Sequence, residues 1–193
     1  MLATASKGNG RLRNRLRPYV WGTAVLLLLL PAVVMRFTSE MNWDETDFIV
    51  WGAMLALAAG AYELATRMSP NRAYRAGAAV AVLTSFLLVW VNLAVGFIGS
   101  EDNPANLMFF GVIGIAVVGS LIARFRAEGM AKAMLTAAAA HALIAPITLI
   151  VGWGMMEPPG AVALILLILV FTMPWLLSAA LFRRAAEDEA TIA

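Results

Sequence analysis

Three polar residues lie inside long hydrophobic runs of this chain, and their side chains are of types that could take part in chemistry. They are Glu63, Asn92 and His141. A carboxylate or an imidazole within a membrane can bind a proton, and carboxylate and amide oxygens can bind a cation. Such groups are rare in transmembrane segments, because a charged side chain at the centre of a spanning helix costs about 2.5–3.5 kcal/mol on insertion scales. Each of these residues is therefore a candidate site residue, and each also has a purely structural interpretation.

Glu63 lies near the end of its hydrophobic run, four residues before Arg67. Residues with this spacing are neighbours on a helix surface, so the pattern predicts an ion pair at the helix end. From that depth a long side chain can also reach the membrane surface. The alternative is an intramembrane carboxylate that binds a proton or a cation.

Asn92 lies within a hydrophobic run, together with regularly spaced small residues. Ser85, Asn92 and Gly99 recur every seven residues, and Gly96 follows Asn92 by four. If the helix continues through Gly99, these residues form one narrow polar stripe that should face protein rather than lipid. Asn92 then either joins two helices through hydrogen bonds or contacts a ligand or an ion.

His141 lies near the middle of the fifth apolar run and is the only histidine in the chain. Because a charged imidazole is costly at that depth, we expect a neutral side chain hydrogen-bonded to another helix. Proton transfer and axial ligation of a cofactor shared between subunits are the alternatives, and a single histidine makes ligation the weaker one. The helix face that His141 shares indicates a packed interior; its other members are Met134, Ala137, Ala138, Ala145 and Thr148.

Two acidic residues, Glu101 and Asp102, follow the Asn92 run in the segment GSEDNPAN. They predict either an ordinary solvated loop or a rim that attracts cations. Asn103 and Pro104 indicate a turn, and Asn106 is suited to cap the helix that follows.

The composition shows which elements carry these residues. Hydrophobic residues make up 62% of the 193-residue chain, and its mean hydropathy is +0.82, whereas soluble domains are about 45–50% apolar. At about 20 residues per span, the sequence predicts an all-α membrane protein with six transmembrane helices. The expected spans are 18–37, 48–67, 76–99, 107–123, 131–153 and 160–182.

Charge is distributed unevenly between the two ends of these spans. The tail at residues 1–17 is basic, and arginines follow spans two, four and six; the segments 38–47, 100–106 and 154–159 carry acids and no lysine or arginine. By the positive-inside rule, both termini are predicted to be cytoplasmic. The expected organisation is a basic tail at 1–17, a transmembrane domain at 18–182 and a short tail at 183–193.

Several classes of site are excluded by residue counts. The chain has no cysteine, so it has neither disulfides nor thiolate metal sites. A single histidine excludes multi-histidine metal and bis-histidine haem sites within one chain. Neither Lys7 nor Lys132 lies in the middle of a span, so a retinal Schiff base has no anchor. Phosphate-loop, zinc-protease and serine-hydrolase motifs are missing. An intramembrane serine protease would need a partner for His141, and Ser85 and Thr148 are candidates by residue type alone, with no motif around them. No cofactor and no enzymatic activity are expected.

The stretch WVNLAVGFIGSEDNPANLM, within residues 86–111, resembles a family of uncharacterised small polytopic bacterial inner-membrane proteins. The resemblance implies a bacterial inner-membrane location and brings no activity with it. An excess of arginine over lysine, with abundant alanine and glycine, is typical of the same source.

Two functions of different classes follow. The first is a structural or accessory subunit of a membrane assembly, whose partners are the lipid bilayer and other membrane subunits or a second copy, with no nucleic acid. The second is a small channel or transporter for protons, cations or a small solute. In that case Glu63, Asn92 and His141 would line the route, and Glu101 and Asp102 would collect cations. A lipid-modifying enzyme is a third class, with least support because a hydrophilic catalytic cluster is missing.

Overall fold

A computed structural model of the chain describes residues 9–153 and 160–192, and side chains from residue 17 onward. Within these ranges the chain is helical, contains no strand, and forms six long helices. They are α1 (Asn9–Val34), α2 (Glu45–Met68), α3 (Arg72–Ala94), α4 (Leu107–Ile122), α5 (Ala127–Val151) and α6 (Gly160–Ile192). Each helix, α4 together with the short 3₁₀ turn Pro104–Asn106 before it, is long and apolar enough to cross a membrane. The predicted all-α fold with six spanning helices is confirmed.

The helices are distributed between two compact units. The first unit, Met1–Met68, contains α1 and α2, and the second, Ser69–Ala193, contains α3 to α6. The proposed outer turn with Glu157, Pro158 and Pro159 lies outside the described residues, as do residues 1–8 of the basic tail.

In the first unit, α2 begins with a side-chain cap. The Asp44 Oδ1 atom accepts hydrogen bonds from the backbone N–H groups of Thr46 and Asp47, and Asp47 Oδ2 accepts one from the Asp44 N–H. This reciprocal arrangement satisfies amide groups that a helix start leaves unpaired. Further along α2, Trp51 Nε1 donates to the Leu27 carbonyl of α1 at 2.9 Å.

In the second unit, α6 packs against both α5 and α3, and α4 packs against α5. The α3–α6 contact includes a hydrogen bond from Ser178 Oγ to the Gly77 carbonyl oxygen, 2.8 Å long. The α4–α5 contact is close, because a Cβ atom added to Gly119 would lie only 2.7 Å from the Ala133 Cβ. Small residues here allow the two helices to approach.

Helix α3 ends at Ala94, so the prediction that it continues to Gly99 is wrong. The N–H groups of Val95 and Gly96 both donate to the Val91 carbonyl, which closes the last turn. Gly96 then adopts φ +70°, and Gly99 adopts φ +66°. Glycine accepts this left-handed conformation at no steric cost, so these residues turn the chain instead of lining a helix face.

The last helix extends beyond the predicted span. It continues to Ile192, and its final turns contact the start of the unit, where Asn71 Nδ2 donates to Asp188 Oδ2 at 3.0 Å. Ala185 is fully buried. The short tail that the sequence predicts at 183–193 is therefore part of α6 as far as Ile192.

Candidate functional site

His141 lies in the interior of the second unit, on α5. Its side chain is completely buried, as are the neighbouring residues on the same helix face, Ala137, Ala138, Ile144 and Thr148. The prediction that this histidine faces a packed bundle is confirmed.

Aromatic rings from two other helices lie beside the imidazole, and a third ring, from a loop, packs on both of them. The ring centroid of Phe109, on α4, is 5.5 Å from that of His141, and the Phe171 centroid, on α6, is 6.5 Å away. Phe97, from the loop after α3, contacts both phenylalanines, at 4.6 Å from Phe109 and 5.2 Å from Phe171. We call Phe97, Phe109, His141 and Phe171 the aromatic cluster.

Neither ring nitrogen of His141 has a hydrogen-bond partner in the described part of the chain. The expected bond to another helix is therefore not seen among residues 9–153 and 160–192. The hydroxyl groups of Ser85 and Thr148 donate to backbone carbonyls of their own helices, at Ala81 and Ile144. Among the described residues, neither of these hydroxyl groups is hydrogen-bonded to the imidazole.

Asn92 and Trp175 add further buried polar atoms to this interior. Asn92 Nδ2 donates to the Leu88 carbonyl of its own helix at 2.8 Å, whereas its Oδ1 atom has no described partner. The expected inter-helix hydrogen bond from Asn92 is not seen. Trp175 Nε1, on α6, is equally buried and without a described partner. A buried polar group without a partner costs about 1–3 kcal/mol, and this interior holds four such atoms without a partner among the described residues.

The loop of residues 95–106, which we call the Asn106 loop, brings Phe97 into the aromatic cluster. Asn106 Oδ1 accepts hydrogen bonds from the N–H groups of Phe97 and Ile98, at 3.0 and 2.9 Å. Its Nδ2 atom donates to the Ser100 carbonyl at 2.8 Å and, at 3.4 Å, to that of Ile98. The prediction that Asn106 caps α4 is wrong, because its side chain makes no cap bond and instead binds the preceding loop.

Side chains within the Asn106 loop have opposite environments. Phe97 and Ile98 are fully buried, whereas Glu101 and Asp102 are exposed. The exposure of Glu101 and Asp102 is compatible with both predictions for this pair, a solvated loop and a cation-attracting rim.

Phe97 was not predicted as a site residue. It continues the apolar pattern of α3 and has no polar side-chain atom, so no sequence signal distinguishes it from its neighbours.

Glu63 belongs to the first unit and is held there by three side chains. It forms the predicted ion pair with Arg67, a second ion pair with Arg17 Nε at 3.4 Å, and accepts a hydrogen bond from Trp21 Nε1 at 2.8 Å. The helix-end ion pair is therefore confirmed. Arg17 and Trp21, both on α1, were not predicted as contacts. Of the three intramembrane candidates, the second unit contains only Asn92 and His141.

Within the described residues, no group of three or more histidine, cysteine, aspartate or glutamate side chains could hold a metal ion. The chemistry that the aromatic cluster offers is that of one imidazole, with one donor and one acceptor when neutral, beside aromatic rings.

Comparison of the chain with protein-family models, curated proteins and solved structures finds no match.

Proposed function

We propose that the chain is a non-enzymatic, multi-pass protein of a bacterial inner membrane that serves as a structural or accessory subunit of a larger membrane assembly. The observation that carries this proposal is the closed interior of the second unit. Phenyl rings surround His141, which is fully buried. The orientation with both termini in the cytoplasm follows from the charge distribution and belongs to the same proposal.

A proton or ion route would need polar groups that follow one another through the membrane. His141 makes no hydrogen bond to a described residue, and the Asn92 amide bonds to its own helix. The Glu63 carboxylate is engaged by two arginines and a tryptophan in the other unit. These contacts favour a structural role over transport.

Small residues on outward helix faces supply a surface suited to such a role. Gly111 and Gly114 lie on one exposed part of α4, and a Cβ atom added at either would meet nothing within 4 Å. Small residues on an outward helix face let a second transmembrane helix approach closely. We therefore expect α4 to contact a helix of a neighbouring subunit.

The test is extraction of the protein from its native membrane in mild detergent or nanodiscs, with the complex mass and all co-purifying proteins measured. We expect a specific partner at fixed stoichiometry, and its loss in the variant Gly111→Leu/Gly114→Leu. Ala139→Leu, at an exposed position of α5, is the matched control and should retain the partner. A monomer that purifies without any partner would contradict the proposal.

The second candidate function is a small channel or transporter for protons, cations or a small solute. It is favoured by one observation, the complete burial of an ionisable side chain in the interior of the second unit. Proteoliposomes should then show a proton or solute flux above that of empty vesicles, reduced by His141→Leu, Asn92→Leu or Glu63→Gln. Equal flux with and without the protein rejects this function.

A further inference from the structure

The aromatic cluster combines two features that are unusual together in a protein interior. Its imidazole is fully buried and makes no described hydrogen bond, although buried polar side chains are nearly always paired. One of its rings, that of Phe97, comes from a loop, whereas Phe109, His141 and Phe171 all come from helices. The helices fix three members of the cluster, and the loop supplies the fourth.

Phe97 has the contacts that an aromatic ligand would have at this position. Its ring packs on Phe109 at an interplanar angle of 34° and edge-on against Phe171 at 88°. Both geometries are favourable for aromatic pairs. The same two phenylalanines also contact His141, so a ring that replaced Phe97 would lie beside the same aromatic groups that surround the imidazole.

The Phe97 side chain fills this position without using the imidazole. A phenyl ring neither donates nor accepts a conventional hydrogen bond, whereas neutral histidine offers one donor and one acceptor. A ligand that carried a hydroxyl or a carbonyl on its ring would supply the missing bond. The cluster contains no charged residue, which favours a neutral molecule because an unpaired charge is costly there.

We propose that the aromatic cluster is a binding site for a neutral, lipophilic molecule whose aromatic ring carries a hydroxyl or carbonyl group, and that Phe97 occupies the ring position when the site is closed. The ligand ring replaces Phe97 between Phe109 and Phe171, and its oxygen hydrogen-bonds to His141. This inference does not depend on the accessory role, because it concerns the interior of the second unit and not its partners.

The Asn106 loop determines whether the site is closed. Its hydrogen bonds to Asn106 hold the backbone of Phe97 and Ile98. A Cβ atom added at Gly96 would lie 2.7 Å from the Ser100 carbonyl oxygen, so the turn before Phe97 is tight. Ligand binding must displace Phe97, and the loop therefore opposes binding until Phe97 is removed or the loop opens.

The experiment uses the full chain in lipid nanodiscs and two probes of nearly the same shape, p-cresol and toluene. Calorimetric titration gives the dissociation constant of each probe, after correction for the partition of that probe into empty nanodiscs. Because the chain has one histidine, ¹⁵N-histidine labelling gives the nitrogen signals of one imidazole. We expect p-cresol to bind about fivefold more tightly than toluene, the usual contribution of one hydrogen bond, and to shift those signals saturably.

Variants separate the hydrogen bond from the space that the ring occupies. Phe97→Ala should tighten binding of both probes, because an apolar cavity binds aromatic molecules. His141→Leu should reduce the p-cresol preference to about one, and His141→Gln should restore part of it. Phe110→Ala, which removes a partly exposed α4 ring, is the matched control and should change neither affinity.

Two results would overturn the proposal. One is the lack of saturable p-cresol binding to both the unmodified chain and Phe97→Ala. The other is a p-cresol preference that is missing in both of these proteins or that persists unchanged in His141→Leu. Failure of the partner experiment leaves these measurements unaffected.

Discussion

Replacement of Asn106 by alanine removes the side chain that holds the loop between α3 and α4. Asn106 is 4% exposed, and the loop residues whose N–H groups it binds, Phe97 and Ile98, are 0% exposed. The variant deprives both buried N–H groups of their Asn106 acceptor, and each unsatisfied group costs about 1–3 kcal/mol. The expected loss in the free energy of unfolding is thus about 2–6 kcal/mol. The loss lies near the lower limit if the loop moves so that water accepts hydrogen bonds from these N–H groups. The 3.4 Å contact with Ile98 is too long to add to this figure.

The assay is unfolding of the protein in mixed micelles by titration with sodium dodecyl sulfate, followed by tryptophan fluorescence. Amide hydrogen exchange at Phe97 and Ile98 reports the loop itself and should accelerate in Asn106→Ala. The control is Asn103→Ala, because Asn103 lies in the same loop, is only half-buried, and accepts one bond, from the Ala105 N–H. It should cost about 0.5–1.5 kcal/mol. If Asn106→Ala costs no more than the control, the loop does not depend on this side chain and our reasoning is wrong.

Other substitutions test the packing of the second unit in the same unfolding assay. Gly119→Ala should destabilise the unit by about 1–3 kcal/mol, because its new methyl group overlaps Ala133. In the control Gly111→Ala the methyl group meets open space, so this variant should be neutral or stabilising by up to about 1 kcal/mol. Equal effects of the two substitutions would refute the close contact between α4 and α5 at Gly119. Ser178→Ala loses its bond to the α3 backbone and should cost about 0.6–1.7 kcal/mol, whereas no loss would mean that water replaces the bond. His141→Leu should stabilise the unit by about 1–3 kcal/mol, since it removes unpaired buried nitrogens, and destabilisation would show that the imidazole is bonded.

The end of α3 shows where sequence reasoning fails in this chain. Residues 95–99 continue the apolar pattern of the helix without interruption, so hydropathy predicts a longer span. The helix stops at Ala94 because Gly96 and Gly99 adopt positive φ and because a distant side chain, Asn106, binds the loop backbone. Those hydrogen bonds exist only in the folded chain, and no local pattern predicts them.

The two intramembrane ionisable residues also differ in how far they could be predicted. The Glu63–Arg67 pair follows from helical spacing alone, and the structure confirms it. The contacts of Arg17 and Trp21 with the same carboxylate depend on the packing of α1 against α2. For His141, the sequence predicts burial correctly, whereas the expected hydrogen bond is not found in the described part of the chain, where the neighbouring helices present the phenyl rings of Phe109 and Phe171.

By itself, the sequence determined six membrane-spanning helices, their approximate bounds apart from the ends of α3 and α6, the Glu63–Arg67 ion pair and the burial of His141. These depend on local hydrophobic runs and side-chain spacing, each contained within a few turns of chain. Only the tertiary structure decided that the helices form two units, that Asn106 binds its own preceding loop, and that Phe97 joins the aromatic cluster. These features depend on which segments meet in space, and in so uniformly apolar a chain many pairings of helix faces satisfy the same hydrophobic pattern.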